Sequence, residues 1–138
     1  MNQAFHTVRV STQGPGLYEF TEKVTAFIQA EKLGDGLLTC YIRHTSASLL
    51  IQENADPDVQ KDLTDFFARL ARKGMDYRHT AEGPDDMPSH IRAALTQTSI
   101  GIPIKAGKPA LGTWQGLYVF EHRDAPHTRD VLLHFIGD

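Results

Sequence analysis

Alternation of apolar and polar residues at every second position is the pattern that most restricts what this chain can become. Leu38, Cys40 and Ile42 recur with that period, and Ile100, Ile102 and Ile104 repeat it sixty residues on. In an extended backbone successive side chains point to opposite faces, so each run buries one face of a sheet and leaves the other polar. One-sided strands of this kind belong to antiparallel pairing, because strands of a parallel sheet are covered on both faces and read as continuous apolar runs. Residues 37–44 and 100–104 are therefore expected strands, joined by others over 5–11, 17–20, 49–53, 117–122 and 131–136. Three helical patterns interrupt them. Val24, Phe27 and Ile28 follow Thr21, a candidate N-cap, and Val59, Leu63, Phe66, Phe67 and Leu70 form an apolar stripe opened by Asp56-Pro57 and closed by Gly74. A short helix opens at Asp86 or Met87 with Ile91, Ala94 and Leu95 as its apolar side. Helices and strands interleave without a strict strand–helix repeat, which predicts an α+β fold: one compact domain over 1–138, a mainly antiparallel mixed sheet, two longer helices and one short helix.

Size and charge narrow the functions open to such a fold. A chain of 138 residues is long enough to bury one real core. Its net charge of -3 offers no basic footprint for nucleic acid. The single cysteine, Cys40, forms no internal disulfide and excludes a cysteine-based zinc site. No apolar run approaches 18 residues, and residues 1–6 lack the basic preface and apolar core of a secretion signal. The expectation is a cytoplasmic protein acting on a small molecule, without nucleic-acid or membrane partners.

The residues able to do chemistry collect at the ends of elements. His44 extends the apolar face of a strand, His79 lies in the long loop over 75–87, and His90 stands near a helix start. Neutral imidazole ligates transition metals and also transfers protons near neutral pH, and loops and element ends are where such work gathers. No HExxH or paired i, i+4 histidines occur, so the spacing by itself carries little metal signal. Asp86, four residues before His90 on one helix start, is suited to orient an imidazole or to ligate beside it. Thr45, Ser46 and Ser48 follow His44 with hydroxyls suited to an anion. Glu121 shares a strand face with Leu117 and Val119, so it either tops the core at a sheet edge or lines a site. Gly112-Thr113-Trp114-Gln115-Gly116 flanks the one tryptophan with two glycines and either plugs the core or presents Trp114 and Gln115 to a ligand.

Taken in order, His44-Thr45-Ser46-Ala47-Ser48-Leu49, Glu53-Asn54-Ala55-Asp56-Pro57, Asp85-Asp86-Met87-Pro88-Ser89-His90-Ile91 and the loop from Gly112 to Gly116 resemble the YjbQ-type family. Its members are known as secondary thiamine-phosphate synthase enzymes. Ser99, Ile102, Ile104 and Gly107 keep that family's spacing ahead of the loop, and Phe120-Glu121-His122-Arg123 looks like its bacterial branch. Lys108-Pro109 and Ser89 depart from the usual residues without removing a candidate ligand. The resemblance implies a homotrimer with a polar pocket near a subunit boundary. It also implies weak transfer of a pyrimidinylmethyl group from its diphosphate to a thiazole phosphate, releasing diphosphate. Under that reading His44, Asp86 and His90 are catalytic, and His44, His79, His90 and Asp86 hold a divalent metal. That metal is Mg2+ for the transferase reading or a Zn2+-type ion at the histidines. Thr45, Ser46, Trp114, Gln115 and Glu121 bind the small phosphorylated heteroaromatic substrate, with Arg43 and Arg123 as further phosphate partners. Two other functions compete: a metal-dependent hydrolase of a small phosphorylated or cyclic metabolite, and a non-catalytic trimeric binder of small anions.

Overall fold

The computed structural model describes residues 1–138. Eight strands and three helices follow in the order β1 (Asn2–Gln13), β2 (Gly16–Glu19), α1 (Thr21–Ala30), β3 (Gly36–Ile42), β4 (Ala47–Glu53), α2 (Pro57–Leu70), α3 (Asp86–Leu95), β5 (Ser99–Lys105), β6 (Lys108–Pro109), β7 (Gln115–Glu121) and β8 (Pro126–Gly137). They form a five-stranded sheet in the order β1-β8-β3-β5-β6 and a three-stranded sheet in the order β2-β7-β4. Every pairing is antiparallel, as the one-sided strands require. The α+β class expected above is the one found.

One apolar cluster joins the two sheets. Val8, Val10, Leu38, Cys40, Ile42, the isoleucines of β5, Val131, Leu133 and Phe135 meet Ala47, Leu49, Leu117 and Val119 from the smaller sheet, and Val24, Phe27 and Ile28 of α1 complete it. β5 and β6 turn about Ala106 and Gly107, both at positive φ (50° and 76°), the backbone that a two-residue hairpin needs.

β7 departs from one-sided burial: every residue from Gly116 to Glu121 is buried. Leu117 and Val119 face the common core, whereas Tyr118 and Phe120 point the other way and are covered. Phe67 of α2 meets Phe120 edge-on at 5.3 Å, and Ser89 of α3 reaches the carbonyl of His122, just beyond the strand, at 2.8 Å. β7 is thus the inner strand, with one end in the polar region described below.

Three expectations about helices need correction or qualification. Thr21 is not the N-cap of α1; Phe20 occupies that place, and the Thr21 hydroxyl instead accepts from the amide of Leu117 and donates to Glu19. Asp56 does cap α2, accepting from the amide of Asp58, but the apolar stripe of that helix is only partly covered: Val59, Leu63 and Phe67 are half-buried, whereas Phe66 is 51% and Leu70 52% exposed. The helix α3 buries Asp86, Pro88, Ser89, Arg92 and Ala93 rather than Ile91, Ala94 and Leu95. Its polar stripe turns inward because the groups beneath it are polar: the carbonyls of His122 and Ala71, and the Arg123 side chain.

Candidate functional site

The functional candidate with the most converging chemistry stands where α3 begins. Gly83, at φ +100°, turns the chain so that Asp85 and Asp86 enter the helix over the end of β7. Arg123, two residues past β7, spans both carboxylates: its Nε donates to Asp85 Oδ2 at 2.9 Å and its Nη1 to Asp86 Oδ1 at 2.7 Å. The amide of Asp124 also donates to Asp85 Oδ2 at 2.9 Å. Burial alone raises a carboxyl pKa, but the Arg123 guanidinium and the Asp124 amide override it and hold Asp85 at about 2. Asp86, 1% exposed, is pushed up by burial and held down more strongly by His79, His90 and Arg123.

The other oxygen of Asp86 faces two histidines. His79 Nε2 lies 2.7 Å and His90 Nε2 2.9 Å from Asp86 Oδ2, and these three ligand atoms fall within 4.8 Å of one another. His90 Nδ1 lies 2.8 Å from the Thr45 carbonyl, which only accepts, so that nitrogen carries a proton. In a neutral ring Nε2 then presents a lone pair to a carboxylate oxygen. Two lone pairs at that separation call for a cation between them, either a proton or a metal ion. The imidazoles sit on the open side of the cluster, with their side chains 41% and 31% exposed.

His44 is not part of this cluster. Its Nε2 accepts from the amide of Asp130 at 2.9 Å, and its Nδ1 lies 3.4 Å from Arg129. Burial and then the Arg129 charge hold His44 below its ordinary pKa, so the ring is a neutral acceptor tying β3 to β8. It touches the site through its neighbour Thr45, whose carbonyl orients His90. Ser46 is 8% exposed, and its hydroxyl lies 3.0 Å from Arg129 Nη2. Glu121 is fully buried and ion-paired with Arg129, with Thr12 donating at 2.6 Å. Arg43 is exposed.

Trp114 and Gln115 lie at the other end of β7, whose seven residues separate them from Arg123 by roughly 20 Å. The Gln115 amide oxygen closes its own turn on the Gly112 amide at 2.8 Å, and Trp114 is 63% exposed. Gly116 is there for space: a Cβ would stand 2.8 Å from a Glu19 carboxylate oxygen and 3.0 Å from the Tyr118 ring. Within one chain the indole and the histidines do not meet.

Arg129, Arg92 and His122 are not among the site residues read from the sequence. Arg129 had a signal, since it lies two residues before Val131 on the core face of β8, and a cation there needs a buried acid. Arg92 had none, and His122 appeared only within the Phe120-Glu121-His122-Arg123 resemblance, because the burial of both depends on how α3 and α2 cover β7.

Fold and site together define a two-sheet α+β protein with a histidine–carboxylate cluster at one end of its inner strand. The chain belongs to the UPF0047 protein YjbQ-like family, whose model matches residues 6–138. It is 54% identical over 130 residues to UPF0047 protein sll1880 of Synechocystis, an alignment covering 94% of this chain and 88% of that one. Against UPF0047 protein YjbQ of Escherichia coli O157:H7 it is 35% identical, with 96% of each chain covered. Among solved structures, an uncharacterized conserved protein of the YjbQ/UPF0047 family from Clostridium acetobutylicum is 33% identical at a TM-score of 0.84, covering 96% of this chain and 99% of that one. A conserved hypothetical protein from Thermus thermophilus is 28% identical at a TM-score of 0.85, covering 95% and 99%.

Proposed function

We propose that this chain is a metal-dependent enzyme acting on a small phosphorylated metabolite, with His79, Asp86 and His90 as ligands of a Zn2+-type ion. The observation that carries the reading is the approach of His79 Nε2 and His90 Nε2 to one oxygen of Asp86, with the imidazoles on an open side. Two imidazoles and one carboxylate favour a transition metal over Mg2+, which prefers oxygen donors. Three protein ligands with an open position are also the set of a catalytic rather than a structural zinc site. Arg123 and the Thr45 carbonyl hold Asp86 and His90 from behind, the outer support that metal ligands require. Bound there, the ion would polarise a phosphoryl oxygen and lower the pKa of a bound water. Hydrolysis suits the site within one chain, because it is open to water and transfer to an acceptor other than water requires that water be excluded.

A second reading, thiamine-phosphate synthase-like transfer, draws its support from Trp114. Its indole is 63% exposed and free to stack a heteroaromatic ring. Because Trp114 lies far from the histidines of its own chain, that reading requires a homotrimer in which a neighbouring copy supplies the indole.

The test is metal content and turnover of the full chain, wild type against His79→Ala and His90→Ala. One zinc or similar ion per chain, lost in both variants together with hydrolysis of a phosphomonoester such as p-nitrophenyl phosphate, is the expected result. Turnover of the two thiamine precursors instead, lost in Trp114→Ala, selects the transferase. Anion binding without turnover or metal overturns both readings in favour of a non-catalytic binder.

A further inference from the structure

One edge of the larger sheet is left open. β1 stands at the end of the order β1-β8-β3-β5-β6 and runs for 12 residues with β8 on one side only. The backbone itself shows which groups face outward. The amide of Arg43 donates to the Asp130 carbonyl and the amide of Asp130 donates to His44, so Asp130 turns its backbone groups toward β3. Val131 therefore turns its own toward β1, where it faces Val8. Even-numbered residues of β1 thus bond β8, and odd-numbered ones point away from it. Two side chains agree with that parity: Lys23 Nζ donates to the Arg9 carbonyl at 2.8 Å, and the Tyr18 hydroxyl accepts from the Gln13 amide at 2.9 Å.

The second half of this edge is therefore partly closed by the chain's own side chains, and the first half is not. The outward amides and carbonyls of Gln3, Phe5 and Thr7 have no partner within the chain. Native sheets guard such an edge with charge, proline, a bulge or a covering element. Gln3, Phe5 and Thr7 supply none of these, and Phe5 is 63% exposed with its ring stacked on His134 at 4.6 Å. On the inner side α1 stands off from the strand, leaving an open groove of about 510 Å3 bordered by His6, Phe27 and Ala30. An added strand has room there.

We propose that a second copy of this chain adds its own β1 to this edge, antiparallel, about a two-fold axis at Phe5. Any strand paired antiparallel with itself is complementary by symmetry, and Phe5 is the middle one of the three open residues. Gln3 then meets Thr7 of the second copy, Phe5 meets Phe5, and Thr7 meets Gln3, with about six backbone hydrogen bonds in all. No like charges oppose each other, and the two phenyl rings meet on the outer face. Sliding the axis to Thr7 would displace Lys23 from the Arg9 carbonyl, which fixes the register. The two five-stranded sheets become one. A two-fold contact closes at two copies, so it neither builds nor needs the homotrimer of the transferase reading. None of His79, Asp86 and His90 takes part, and the metal reading stands or falls separately.

Three paired residues a side cover less than the roughly 1,600 Å2 of a standard interface, so the contact is weak and depends on concentration. The test is amide hydrogen exchange of the full chain by NMR at about 1 mM and again after about 20-fold dilution. The amides of Phe5 and Thr7 should exchange at least about 10-fold more slowly in the concentrated sample, while Ser11, outward on the same strand but beyond the pairing, keeps one rate. Thr7→Pro removes an outward amide without touching the β8 ladder. It should erase the concentration dependence at Phe5 and leave the melting temperature in place. Phe5→Cys gives a readout that does not rest on a proline being tolerated: paired Cα atoms stand about 5.5 Å apart, within disulfide reach, and Cys40 is buried. Mild oxidation should cross-link this variant at least about 10-fold faster than Arg9→Cys. Equal cross-linking of the two variants, exchange at Phe5 and Thr7 that ignores concentration, equal protection of Ser11, or protection that persists in Thr7→Pro would each overturn the proposal.

Discussion

The Nε2 of His90 and the Oδ2 of Asp86 stand 2.9 Å apart, one helical turn from each other, while the opposite nitrogen of that ring is held by the Thr45 carbonyl. The arrangement makes Asp86 the member of the cluster whose charge matters most. Asp86→Asn keeps the shape and removes the anion. Its zinc affinity should fall by more than the roughly 10–100-fold that loss of an outer-shell partner costs, measured by competition with a chelating dye. Affinity within twofold of wild type would remove Asp86 from the ligand set.

Asp85 makes the fold sensitive to strong acid. Its folded pKa of about 2 lies below its ordinary 3.8, so its contribution is present above pH 3.8 and disappears as pH falls toward 2. The difference corresponds to about 2 kcal/mol. Urea denaturation between pH 5 and pH 2 should show that loss in the wild type, and Asp85→Asn should be less stable at pH 5 yet lose less on acidification.

His122 acts at milder pH. Burial first, then the neighbouring Arg92 charge, lowers its pKa from 6.5 to about 3, so the folded protein keeps it neutral where the unfolded chain protonates it. Stability is therefore highest above pH 6.5 and falls toward pH 3, with a limiting slope of about 1.4 kcal/mol per pH unit from this group. His122→Gln should flatten the stability profile between pH 6 and pH 4 relative to wild type. Parallel profiles would mean that the ring is accessible to protons in the folded state.

The buried pair of Glu121 and Arg129 is the most vulnerable contact in the core, at 0% and 3% exposure. Arg129→Met alone leaves a carboxylate without its counter-charge and should cost about 3–5 kcal/mol. Exchanging both partners, as Glu121→Leu with Arg129→Met, should recover most of that loss in urea denaturation, because the apolar pair carries no desolvation penalty. A double variant no better than the single one would show that Thr12 and Ser46, which also bond this pair, carry the cost.

The chain by itself determined every strand but the two-residue β6, its helix positions and the α+β class, because period-two burial and helical apolar spacing are local consequences of backbone geometry. Leu38, Cys40 and Ile42 announce a buried face wherever the strand is put, and Asp56-Pro57 announces a helix start. The approach of Asp86 to His90 was legible too, since four residues on a helix span one turn. Only the tertiary structure decided which way α3 faces, and its polar stripe won because buried carbonyls and Arg123 lie beneath it. It alone brought His79 to Asp86, turned His44 away to the Asp130 amide, and separated Trp114 from the histidines by the length of β7. Such contacts join residues far apart along the chain, and neither periodicity nor propensity carries information about which distant partner a polar side chain will meet.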